Sequence, residues 1–217
     1  MNKDQVIEAI KKLKKESPKR KFSQSVDLIV ALKDLDFKKS EQQVDFFVTL
    51  HHDTGKKRKI CALVGAELMD EAKKVFDEAI MVDNFGQFTK QKAKKLANDN
   101  DFFIAQATIM TKVAATFGRY LGVRGKMPNP KAGCVVPPRG ANLKALYDRL
   151  QKTIKVTARK VPLIQLRIGM ESMDDEQVAD NIIYLYDQLI HHLPGEQNNI
   201  QNVFVKLTMS KPVKLEK

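Results

Sequence analysis

The sequence predicts an α/β protein of two domains: a discontinuous α+β sandwich domain built from both ends of the chain, and a Rossmann-like α/β domain inserted in it. Three observations lead there. The 217 residues suffice for two modest cores. Both ends carry apolar residues in strand alternation beside two helical segments, whereas the middle alternates short apolar runs with helical periodicity. Neither end alone holds enough strands for a stable sheet. The ends are therefore expected to share one antiparallel sheet with two helices on one face. The expected bounds are 1–62 with 157–217 for the shared domain and 63–156 for the insert.

The elements justify this in order. Residues 3–16 place Val6, Ile7, Ile10 and Leu13 on one helical stripe with lysines opposite. "SPKRKFSQS" (17–25) breaks the pattern. "VDLIVALK" then alternates, with Val26, Leu28, Val30 and Leu32 on one side of a strand, and "VDFFVTL" (44–50) repeats this with Val44, Phe46, Val48 and Leu50. After the "HHDTGKK" turn comes a strand, "KICALV" (59–64). In the middle segment, helices near 66–77, 89–98 and 107–117 follow "ALV", "EAIMV" and "FFIA". Strand–helix alternation implies parallel strands covered by helices. A helix over 141–153 closes the insert. The second end supplies a strand (162–170), a long helix (173–193) with acidic residues at the positive end of its dipole, and a strand (203–209).

Composition narrows the chemistry. Thirty-eight Lys and Arg against 26 Asp and Glu leave a formal charge of +12, which favours a polyanionic partner. Cys61 and Cys134 are too few and too far apart for a disulfide framework or a zinc site. No apolar run approaches the ~20 residues of a membrane span, and the N-terminus lacks the apolar centre of a signal peptide. A reduced, cytoplasmic protein is expected, without cofactor or metal. The adjacent histidines 51–52 and 191–192 diverge too far to share a metal. Asp174, Asp175 and Glu176 read as helix-start residues in a dipole and capping role.

The segment "GRYLGVRGKMPNPKAGCVVPPRG" (118–140) holds five glycines, four prolines and five basic residues, a turn-rich composition in which a regular helix or strand is not expected to persist. It lacks the Gly-Lys-Ser/Thr ending of a phosphate-binding loop and follows a helix rather than a strand. Its basic residues Arg124, Lys126, Lys131 and Arg139 are candidate secondary nucleic-acid contacts; a purely structural loop is the alternative.

"KRKFSQSVDLIVALKDLD", "GRYLGVRGKMPNPKAGCV" and "VKLTMSKP" together resemble the archaeal form of the L-one family of large-subunit ribosomal proteins. The resemblance spans essentially the whole chain. It implies the same two-domain fold, rRNA binding in the mobile stalk beside the tRNA exit site, and in many members repression of their own mRNA. By resemblance, Lys21, Phe22 and Ser25 match one RNA-binding patch, and Thr208, Met209 and Ser210 match another. Lys160 aligns with a further contact. Ser210 stands where the family typically has glycine; serine accepts a positive φ poorly, and its side chain keeps RNA from approaching as closely as glycine allows. His51 stands where the family commonly has proline.

The residue types suit the role. Lys19, Arg20 and Lys21 can neutralise phosphates, Phe22 offers a flat apolar face, and Thr208 can meet 2′-hydroxyls in the shallow minor groove of an RNA helix. Free in solution the chain is expected to be a monomer. Two other readings are a nucleotide-using or RNA-modifying enzyme built on the insert, and a nonspecific nucleic-acid compaction protein. The first lacks a nucleophile, base or cofactor loop with supporting spacing; the second rests on charge alone.

Overall fold

A computed structural model of the chain describes residues 1–18, 20–138, 140 and 142–215. They divide into two compact units, Met1–Lys56 with Lys152–Lys217, and Lys57–Gln151. The crossings fall at 56/57 and 151/152, ahead of the 62/63 and 156/157 expected from sequence texture. Placed there, they leave every strand whole within one unit.

The terminal unit begins with helix α1 (Lys3–Glu16), capped by Asn2, whose side chain accepts from the Asp4 amide. Val6, Ile10 and Leu13 form its buried stripe. Strand β1 (Ser25–Leu32) follows, buried at every second residue from Val26. Strand β2 (Val44–Thr49) buries Val44, Phe46 and Val48. After the insert's β3 (Ile60–Val64), α2 (Met69–Val75), β4 (Glu78–Met81), α3 (Lys90–Asp99), β5 (Phe102–Gln106), α4 (Met110–Val123), β6 (Val135–Val136) and α5 (Leu143–Lys152), the chain re-enters as β7 (Thr153–Ala158). Then come β8 (Leu163–Met170), α6 (Asp175–His192), β9 (Ile200–Leu207) and β10 (Val213–Leu215).

The expectation of a single antiparallel sheet needs correction. Strands run β10-β9-β1-β8 in one four-stranded sheet, while β2 pairs with β7 in a separate ribbon. Two strands that the sequence reading left out, β7 and β10, account for the difference: β7 takes β2 out of the main sheet, and β10 takes the vacant edge beside β9. Both layers and the two helices still share one core, from Val6 and Ile10 through Val26, Phe46, Val156 and Tyr186 to Leu215. Lys14 ties the helices together, its ammonium 2.6 Å from the Asp175 carboxylate and donating to the Met173 carbonyl at 3.0 Å. Asp174 occupies the N-cap of α6 but its side chain caps nothing, so the acidic start acts through the dipole and this ion pair, not through a capping bond.

The insert is a parallel sheet, order β4-β3-β5-β6, around a core of Leu63, Phe85, Phe103 and Phe117. Its thiols are buried, and burial pushes Cys134 up to about 11 and Cys61 well above its ordinary value, so both stay protonated. The glycine-rich segment is more regular than its composition suggests. Helix α4 continues through Val123, because Val113, Phe117 and Leu121 keep one face buried while Gly118 and Gly122 meet no neighbouring atom. Burying that stripe offsets the ~1 kcal/mol that each glycine costs a helix. The helix stops at Gly125 (φ +64°) in a Schellman motif, with Lys126 N–H donating to Leu121 O at 2.9 Å and Gly125 N–H to Gly122 O at 3.0 Å. Gly133 (φ +72°) leaves room for the Arg149 guanidinium, which a Cβ there would strike.

In the terminal unit β2 and β7 register from Val44↔Ala158 to Thr49↔Thr153, and Leu50 N–H donates to Lys152 O at 3.0 Å. The insert therefore interrupts the tip of a β-hairpin. A chain with Lys56 joined to Lys152 through a short Gly/Ser linker is expected to fold cooperatively, since no strand of the terminal unit is lost and the closure entropy is small. Thermal melting followed by circular dichroism checks this; a molten, non-cooperative product would contradict it.

Candidate nucleic-acid interface

Strand β1 places Ser25 at its start, and β9 delivers Thr208 just past its end; Val26 pairs with Leu207 in antiparallel register. The segments therefore meet at one end of the main sheet. Thr208 N–H donates to Ser25 O at 3.1 Å, and Ser25 N–H donates back to Thr208 Oγ1 at 3.0 Å. The two hydroxyl oxygens lie 3.1 Å apart.

Proton accounting fixes what this pair can offer. Ser25 Oγ donates its only proton to the Asp27 carboxylate at 2.9 Å. In the Ser25–Thr208 pair the donor is then Thr208, and both hydroxyl protons are spent inside the cluster. Free lone pairs on Ser25, Thr208 and Asp27 remain outward. The cluster is an acceptor surface. It suits 2′-hydroxyl or base amino donors and disfavours phosphate.

Cations flank it. Asp27 lies in register between Arg167 of β8 and Lys206 of β9. Arg20, Lys21, Phe22 and Ser23 line an open depression with Glu171 and Ser172. Phe22 is 52 % exposed and Met209 58 %, two large apolar side chains held in solvent close to polar acceptors. Solvated apolar groups in such a place suit stacking on a base or ribose.

Two residues that the sequence reading did not single out hold the parts together. Gln24 is fully buried. Its Oε1 accepts from Met209 N–H at 3.1 Å and its Nε2 donates to Ser17 Oγ at 3.1 Å, joining the end of α1 to the turn after β9. Its carbonyl accepts from Glu171 N–H at 2.8 Å, which brings Glu171 to the depression. A signal for Gln24 was available: it falls in phase with Val26, Leu28, Val30 and Leu32, a polar residue at an inward position, which burial permits only with partners. Glu171 carried no comparable signal.

Ser210 adopts no positive φ; among the described non-glycine residues only Asp34 and Glu196 do. Its Oγ accepts from Leu207 N–H at 2.8 Å and donates to Lys211 O at 3.1 Å, closing the turn that presents Thr208 and Met209. His51 packs its ring on Tyr184, centroids 4.2 Å apart.

Other candidates lie elsewhere. Lys160 is exposed in the turn between β7 and β8, at the far end of the sheet, where Leu32 N–H donates to Pro162 O. With a rise of about 3.3 Å per residue, that is roughly 20 Å from Ser25 along β1. Arg124 donates to Asn98 Oδ1 at 2.8 Å and to Tyr120 O at 3.0 Å. Lys126 donates to Ala97 O at 2.9 Å and Asn100 O at 2.6 Å, closing the end of α3, and burial holds its pKa below the ordinary lysine value. Lys131 is exposed. Lys19 and Arg139 lie outside the described residues.

The nucleotide alternative meets a specific obstacle. In an open parallel sheet, ligands enter where neighbouring connections diverge, at the carboxyl ends of the strands. Here that point lies between β3 and β5. Gln106 is buried there, and its Oε1 accepts from Gly65 N–H at 2.8 Å. The protein's own amide thus takes the donor that a phosphate would use.

The sequence profile of the Ribosomal protein L1p/L10e family matches residues 13–211. Curated relatives named large ribosomal subunit protein uL1 align over nearly full length. The one from Thermococcus kodakarensis is 35 % identical over 100 % of this chain and 99 % of its own. That from Nanoarchaeum equitans is 37 % identical over 96 % and 98 %. That from Methanobrevibacter smithii is 39 % identical over 97 % and 98 %.

Proposed function

Because the chain belongs to the Ribosomal protein L1p/L10e family, a family of structural ribosomal proteins and not of enzymes, we propose that it binds a helical region of large-subunit rRNA and forms the mobile stalk near the tRNA exit site. The carrying observation is the Ser25–Thr208–Asp27 acceptor cluster, with exposed Phe22 and Met209 on the chain segments next to it and Asp27 in register between Arg167 and Lys206. A surface whose hydroxyl protons are internally spent accepts 2′-hydroxyl protons, which DNA lacks. The basic residues supply affinity through counterion release, and the cluster supplies the choice of site. The resemblance further supports binding to the chain's own mRNA, more weakly than to rRNA, so that repression begins once rRNA is saturated.

Titration of an rRNA fragment tests this. With about four to six phosphates contacted, affinity is expected to fall by about two to three powers of ten between 50 and 200 mM salt. A 2′-deoxy version of the fragment should bind much more weakly at either salt. The chain rejoined from Lys56 to Lys152 should stay within about 1–2 kcal/mol of the parent, because the contacts that specify the site remain. A flat salt response, equal binding of the deoxy fragment, or an mRNA affinity above that for rRNA would each contradict the corresponding part of the reading.

A further inference from the structure

The insert carries most of the chain's excess charge. Residues 57–151 hold 17 Lys and Arg against 9 Asp and Glu, while the rest holds 21 against 17. The acceptor cluster, however, lies in the terminal unit, so this charge needs its own explanation.

Helix α3 shows where some of it is placed. Three other helices follow the macrodipole: α1 has Asp4 in its first turn and Lys14 and Lys15 in its last, α2 has Asp70 and Glu71 then Lys73 and Lys74, and α6 has Asp175 and Glu176 then His191 and His192. Helix α3 reverses the order. Its first turn has no acid and carries Lys90 and Lys92; its last turn has no base and carries Asp99. Lys90 and Lys94 stand four apart and Lys92 and Lys95 three apart, so the lysines also repel one another. All four are exposed, and among the described residues none forms an ion pair. Buried Ala93, Leu96 and Ala97 hold the helix in place, with Thr89 capping it through Lys92 N–H and Lys126 closing its far end. A charge arrangement that works against its own helix is not explained by folding.

We propose that the lysine face of α3, Lys90, Lys92, Lys94 and Lys95, is a second RNA-binding surface that holds phosphate backbone without reading sequence. Four ammonium groups over two turns of helix, reinforced by the positive end of the dipole, fit a run of phosphates. The proposal rests on the RNA-binding reading of the chain, but on different residues in a different unit.

The test replaces all four lysines by glutamine in the full chain, with Lys11, Lys12, Lys38 and Lys39→Gln as a control of equal charge on the terminal unit. Binding to an RNA duplex of unrelated sequence is followed by fluorescence anisotropy across a salt series. The α3 variant is expected to lose about tenfold or more in affinity and to reduce the salt slope by about two to three. The control should lose markedly less, and the α3 variant should melt at the same or a higher temperature than the parent. An unchanged slope, an equal loss in the control, or a lower melting temperature would each overturn the proposal. Because the duplex lacks the cognate site, failure of specific rRNA recognition appears separately, as loss of the difference between cognate and unrelated RNA.

Discussion

A chain carrying both Thr208→Val and Phe22→Ala is expected to bind the rRNA fragment about two or more powers of ten more weakly than the parent, with its salt slope nearly unchanged. Valine keeps the shape of threonine but cannot accept from Ser25 N–H or donate to Ser25 Oγ. It strips the acceptor surface and leaves an RNA hydroxyl unpaired, a cost of about 1–3 kcal/mol. Removing the exposed Phe22 ring takes away a stacking face worth about 1–3 kcal/mol. Neither change removes a cation, so counterion release is untouched. Calorimetric titration of the single and double variants separates the two contributions. Parent-like binding of Thr208→Val would place the RNA elsewhere.

Gln24→Leu is expected to have the next largest effect, and on two properties at once. Leucine fits the buried volume but leaves Met209 N–H and Ser17 Oγ without their partner. Stability should drop by about 2–3 kcal/mol, near the cost of two unpaired polar groups of which one can reach solvent. RNA affinity should fall by about tenfold or more although Gln24 touches solvent nowhere, because the turn holding Thr208 and Met209 loses its inner anchor. Chemical denaturation gives the first number and RNA titration of the folded variant the second. A variant that is destabilised yet binds as the parent does would show that the turn holds itself.

The main elements were legible because their signals are local. Val26, Leu28, Val30 and Leu32 alternate in sequence and alternate in burial; α1 runs over the residues its apolar stripe marks out. Strand β7 was missed because "TIKVTA" directly follows a strong helix without a break, so its buried Ile154 and Val156 fell in the last residues of the insert with no element assigned to them. Strand β10 is three residues long and is defined by its partner β9 rather than by its own pattern. At the site, the family resemblance pointed to Phe22, Ser25 and Thr208, but nothing in the sequence indicated the direction of the hydroxyl protons. Only the Ser25–Asp27 bond shows that the hydroxyls face outward as acceptors. Arg124 and Lys126 look in sequence like free cations, and three-dimensional structure alone reveals the carbonyls and the Asn98 amide oxygen they hold.

The interrupted hairpin has a consequence for synthesis. Ser25 and Thr208 are 183 residues apart in the chain, and β1, an inner strand, pairs only with β8 and β9, both made late. The insert is one continuous stretch of chain and can fold while the rest is still growing; inside it, Arg58 and Gln151 bond end to end. Strand β1 must wait unpaired until β8 and then β9 have been made. A chain stopped before residue 207 can therefore hold a folded insert and its lysine face, yet has no acceptor cluster with which to select a site. If the proposed roles of the two surfaces hold, discrimination between RNAs is a property that only the finished polypeptide acquires, and fragments from aborted translation would compete for phosphate but not for the cognate position.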